Sequence, residues 1–120
     1  MKKEHSADAI LILLLLKLGT EWRLDDEQLA AIADVRTATI GRWRRSPAGR
    51  PSSETQTRIE LVLDIQLRVR ALFKDPRSWL TQPSEVLKNK TPLILMTNDG
   101  TAGLLLIQRQ LRAMSSSGKW

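Results

Sequence analysis

Residues 29–43 read LAAIADVRTATIGRW, and this spacing fits two short helices crossed tightly over a turn. Ala30 is small where a second helix must pass almost on top of the first. Leu29, Ala33, Val35, Ile40 and Trp43 are the apolar positions that fill such a crossing. The residue between the helices normally sits at positive φ. Here it is Asp34, among the better-tolerated alternatives to glycine. The first helix is predicted to end near Ala33 and the second to span about Thr37 to Arg45, closed by Ser46-Pro47-Ala48-Gly49.

Working outward, Asp25 is placed to cap the first of these helices, and Asp26 and Glu27 favour its positive end. Upstream, ILILLLL (Ile10 to Leu16) is apolar all round, so a helix there must be covered on every side by its own chain or by a second copy. Gly19 is its expected C′ residue. Downstream, Ser53 and Gln56 have capping-box spacing for a long helix with Ile59, Val62, Leu63, Ile65, Val69, Leu72 and Phe73 on an apolar face. Shorter helical pieces follow, opened by Pro76, Pro83 and Pro92. After the turn Asn98-Asp99-Gly100, a final helix from Thr101 places Leu104, Ile107, Leu111 and Met114 near one side. No period-2 pattern occurs. The expected fold class is all-α, with six or seven helices and no internal repeat. Residues 1–50 are expected to form an N-terminal unit and 51–120 a C-terminal one.

Charge is concentrated at the crossing. The formal net charge is +6, and the segment from Arg36 to Arg50 holds five arginines and no acid, which points to an anionic partner there. The crossing resembles the helix-turn-helix of Xre-type regulators, whose second helix lies in the major groove of DNA. That resemblance implies DNA contact by Arg36, Thr37, Thr39, Arg42, Arg44 and Arg45, with Ala38 and Gly41 offering little base-specific chemistry. An ordinary helical hairpin with solvated arginines is the alternative.

Other functions are weakly supported. The chain has no cysteine, which excludes disulfides and thiolate metal sites and makes the cytoplasm the expected compartment. His5 is read as solvated, and the Asp25-Asp26-Glu27 run as helix capping rather than a metal or acid–base site. No nucleophile–base pair and no phosphate loop can be assembled, so neither enzyme activity nor a cofactor is expected. The apolar run at Ile10 is too short to span a bilayer, which takes about 20 residues. Packing accounts for Trp22, Trp43 and Trp79. Trp120, at the end of SSSGKW, has no apolar pattern around it.

The order of elements after Ser52 resembles the toxin-binding domain of the Xre/MbcA/ParS antitoxin family, nearest its MbcA branch. The matching pieces are Asp75-Pro76 with Trp79-Leu80, Pro83 with Leu87, Lys90-Thr91-Pro92-Leu93, Gly100, and the helix of Ile107 and Leu111. Coverage is about residues 21–120. The resemblance implies a type II antitoxin that neutralises an NAD-degrading RES-domain toxin, working as a homodimer within a larger complex and repressing its own operon. It further implies toxin contact by Lys88 and Lys90, and a tail of Ser116, Ser117, Gly118, Lys119 and Trp120 that reaches the toxin's NAD pocket. The tail agrees with the family in its length and a glycine, not in sequence. A short Ser/Gly tether would let Trp120 leave its own helix and bury its indole in a neighbouring protein. Two rival readings are a helix-turn-helix regulator without a toxin partner and a ParS-type adaptor.

Overall fold

The computed structural model of the chain describes residues 7–118 and residue 120. His5 and Lys119 therefore lie outside the described residues, as does the side chain of Ser117. The fold is all-helical: α1 (Ala7–Glu21), α2 (Asp26–Ala33), α3 (Thr37–Arg45), α4 (Ser53–Leu72), α5 (Pro76–Thr81), α6 (Pro92–Asn98) and α7 (Gly100–Ser117). A 3-10 turn at Glu85–Leu87 interrupts the connection from α5 to α6. Among the described residues there is no strand, only one isolated bridge between Ser84 and Lys90. No described helix is long and apolar enough to cross a membrane.

Local chemistry sets most of the helix ends. Asp25 and Gln28 form a reciprocal capping box on α2. Asp75 accepts from the Arg77 amide ahead of Pro76, and Thr91 accepts from the Ile94 amide ahead of Pro92. At α4 the cap is Ser52, not Ser53: Ser52 has extended backbone and its hydroxyl accepts from the Thr55 amide at 3.1 Å. The Gln56 side chain donates to the Pro51 carbonyl instead of returning to a serine.

Three expected boundaries move. Gly19 does not end α1, which runs on to Glu21. Arg23 takes the left-handed conformation (φ 56°), and the Leu24 amide reaches back to the Gly19 carbonyl at 2.9 Å. Gly19 serves a packing role: a Cβ there would lie 2.9 Å from Leu29 Cδ2. Pro83 does not open a helix, because the Ser84 amide pairs with the Lys90 carbonyl and closes residues 84–90 into a small loop. The serine run does not form a tether either. α7 continues through Ser117, the Ser115 hydroxyl donates to the Leu111 carbonyl, and the left-handed residue that ends the helix is Gly118.

One continuous core joins the two segments. Ile59, Val62, Ile65 and Val69 of α4 are fully buried, as are Ile12, Leu15 and Leu18 of α1 and Leu104, Ile107 and Leu111 of α7. α4 packs against α1, α2 and α7, and α2 also touches α6. The chain covers only one side of the apolar α1: Ile10, Leu13 and Leu14 remain 47%, 37% and 41% exposed. α6 and α7 meet so closely at Gly103 that a Cβ would stand 2.3 Å from the Leu95 carbonyl oxygen.

Ion pairs tie the helices at the surface. Arg70 of α4 pairs with Glu21 of α1, and Asp64 accepts from Arg68 and from Gln108 of α7. The Arg70 hydrogen bond holds the Glu21 carboxyl below its ordinary range despite partial burial. Burial pushes Asp64 up, but hydrogen bonds from Arg68 and Gln108 outweigh it and lower the group.

Two outcomes are expected. Gly103→Ala should cost about 1–3 kcal/mol in urea unfolding, since the obstructing atom is backbone and must shift. Because Glu21 and Asp64 are more acidic folded than unfolded, their contribution is complete above the ordinary carboxylate pKa of about 4. It is lost as pH falls through the lower folded values. Replacing Glu21 by Gln should flatten the acid side of a pH–stability curve.

Candidate nucleic-acid and protein interfaces

The turn between α2 and α3 is built as the spacing predicts. Asp34 sits at φ 63°, ψ 49°, and the Val35 amide bonds to the Ala30 carbonyl at 3.0 Å. Leu29, Ala30, Ala33, Ile40 and Trp43 are buried, and Val35 is partly so. The turn is also held from outside. The Thr55 hydroxyl donates to the Asp34 carbonyl at 3.4 Å, and Arg58 lies 4.0 Å from the Asp34 carboxylate. Arg58 also binds Glu54 at 3.0 Å, and Glu54 accepts from the Thr101 hydroxyl at the start of α7. The Thr101 hydrogen bond, reinforced by Arg58, lowers the Glu54 pKa.

This geometry displays one face of α3. Arg36, Thr37, Ala38, Arg42, Arg44 and Arg45 are exposed, and Thr39 and Gly41 are half-exposed. Not all the arginines are equally available. Arg44 is engaged by Asp26 of α2 at 2.8 Å, so a phosphate must compete for it. Arg36, Arg42, Arg45 and Arg50 form no ion pair with any described residue. The arginine fork suits both phosphate and guanine.

Lys88 and Lys90 lie elsewhere, on the loop closed by the Ser84–Lys90 bridge. Lys88 and Asn89 are both left-handed (φ 57° and 65°), which turns the loop sharply and leaves both lysines exposed. They border a groove of about 340 Å³, whose other lining is Val86, Leu87, Leu95 and Leu106 with the polar Gln110 and one acid, Asp99. Ile94 of α6 and Leu105 of α7 are 47% and 44% exposed on the same two helices. An apolar groove edged by cations is a surface of the kind proteins dock on.

The tail residues separate. Ser116 and Gly118 are exposed beyond the core. Trp120 folds back on its own chain, with its ring centroid 6.1 Å from Phe73 and 5.8 Å from Trp79. Trp79 in turn lies 6.1 Å from Trp22. Sequence reasoning missed this seat. Phe73 and Trp79 read as ordinary packing residues, and the only signal of a seat is two aromatics six residues apart beside Asp75-Pro76. It also missed the Glu54–Arg58 pair, which its i, i+4 spacing on a helix signals, and the contacts of that pair with Asp34 and Thr101, which no local spacing shows. Among the described residues no group of acids or histidines could hold a metal ion.

No protein-family model matches the chain, and no curated protein matches it in sequence.

Asp34 should tolerate glycine but not a β-branched residue, for which positive φ is a genuine outlier. Asp34→Val is expected to lower stability by about 1–3 kcal/mol in chemical denaturation, and Asp34→Gly to stay within about 1 kcal/mol of the wild type.

Proposed function

We propose that this chain is a type II antitoxin resembling the Xre/MbcA/ParS family, binding a toxin through its C-terminal helices and DNA through α3. The observation that carries the toxin-binding half is the apolar groove between the 84–90 loop, α6 and α7, edged by Lys88 and Lys90. Exposed lysines at the rim of an apolar groove complement acidic groups on a partner's surface, so local charge steers the encounter. The assignment to a RES-domain toxin comes from the resemblance in element order. Homodimerisation and the cytoplasmic setting belong to the same reading.

A DNA-binding regulator with no toxin partner is the second reading. The unpaired arginines of α3, presented beside a left-handed Asp34 turn, favour it. In both readings α3 enters the major groove, Arg36, Thr37 and Arg42 face base edges with Thr39 alongside, and Arg44, Arg45 and Arg50 approach phosphates.

The deciding experiment is co-expression with the RES-domain protein that the reading places in the same operon, followed by measurement of complex size and NAD consumption. Neutralisation is expected in the wild type. Lys88→Glu with Lys90→Glu should weaken it roughly tenfold or more. Arg42→Ala with Arg45→Ala should spare it while weakening promoter binding and making its salt dependence shallower by about one unit of log K per log salt, for the phosphate contact of Arg45. NAD consumption untouched by the wild-type chain would remove the antitoxin reading, and promoter binding that persists would then leave the regulator.

A further inference from the structure

Of the four tryptophans only Trp120 lies outside the buried core, packed against its edge. Trp22, Trp43 and Trp79 sit inside the core, at 0%, 2% and 5% exposure. Trp120 lies over the edge of that core, against the ring of Phe73 at an interplanar angle of 79° and that of Trp79 at 50°. Phe73 is itself only partly buried, at the point where α4 stops and the chain leaves in extended conformation. Beside the three rings is an open cavity of about 240 Å³, bounded also by Lys74, Asp75, Ser78, Gln82 and Pro83. The indole therefore sits in a seat it does not fill.

The backbone leading to it is suited to two positions. Gly118 ends α7 at φ 75°, and a Cβ there would meet nothing within 4 Å, so the chain can change direction at this residue without clearing a neighbour. Up to Ser117 the helix is fixed by its own hydrogen bonds. A hinge after a rigid helix, followed within two residues by a large aromatic on an unfilled seat, forms a latch.

We propose that Trp120 is a latch: in the free protein it docks on Phe73 and Trp79, and it swings out at Gly118 when a partner protein takes up the tail. This rests on the proposed toxin-binding role for its second half only. The edge-on contact with Phe73 favours the docked position by roughly two- to tenfold beyond what burial of the indole contributes. A docked tail is not competent for capture, so apparent affinity for the partner is reduced by the released fraction, and weakening the seat restores it by up to the same factor.

The test replaces all tryptophans by 5-fluorotryptophan and follows the four fluorine signals in the free, full-length protein, assigning Trp120 by its loss in Trp120→Ala. A docked Trp120 is expected to be shielded from a dissolved paramagnetic agent and to move towards the free-indole position in Phe73→Leu, with the Trp22 and Trp43 signals held and that of Trp79, which touches both rings, shifted as well. A second arm measures association with the RES-domain protein, which should be roughly two- to tenfold faster for Phe73→Leu than for the wild type. A Trp120 signal as accessible as free 5-fluorotryptophan and indifferent to Phe73→Leu overturns the latch, whatever the chain does to a toxin. A shielded signal with unchanged association overturns the displacement and leaves a fixed structural cap. If no complex forms even with wild type, the toxin-binding reading and the displacement fall together, whereas loss of shielding in the free protein sinks the latch alone.

Discussion

The burial of α4 from several directions is the constraint on which the remaining structure depends. A 20-residue helix is about 30 Å long, and Ile59, Val62, Ile65 and Val69 are fully covered along it. α1 and α2 contribute part of that cover and α7 another part. Fully burying each of these side chains contributes on the order of 1.5–3 kcal/mol. The helix that carries the basic face and the helices that form the lysine-edged groove are consequently mounted on a shared core. Neither surface can be displaced far without uncovering α4.

Against that core, the ionic links across the surface are minor. Arg58 touches Asp34 at 4.0 Å and Glu54 at 3.0 Å, and both carboxylates are about half exposed. Exposed pairs of this kind are worth at most about 1 kcal/mol. What fixes the α2–α3 turn is burial: Leu29, Ala33 and Ile40 on its two sides are 0% exposed, and Thr55, which donates to the Asp34 carbonyl, is 1% exposed. The charges set where the turn points; apolar burial sets that it stays. Arg44 illustrates the opposite case, since its bond to Asp26 removes one cation from an otherwise unpaired basic face at no large gain in stability.

How far the sequence could be read follows from the range of each interaction. Capping by Asp25, Asp75 and Thr91 is complete within four residues, so those helix starts were legible. The Asp34 turn was legible because its small and apolar neighbours repeat at fixed offsets. Gly19 and Gly103 were not, since each exists for a contact with another element: Leu29 in one case, the Leu95 carbonyl in the other. Gly19 even mimics a helix stop. The groove beside Lys88 and Lys90 depends on a bridge between Ser84 and Lys90 that no periodicity announces. The serine run was misjudged because propensity is weak near a helix end, where a serine hydroxyl can bond back to the preceding turn as Ser115 does.

The tryptophans show why one aromatic can be released while the others cannot. Trp22, Trp43 and Trp79 bury their indole N–H groups without an acceptor. Each orphan donor costs about 1–3 kcal/mol. Removing 150–250 Å² from water contributes about 4–6 kcal/mol at 25 cal/mol per Å². Burial wins for all three, and none can leave without opening the core they share. Trp120 is only partly buried and its indole N–H is not among the orphaned donors. It gains less from staying and loses less on leaving. Its seat, formed by Phe73 and by Trp79 held from below by Trp22, persists in either position because Trp79 is fixed by the core and not by the tail.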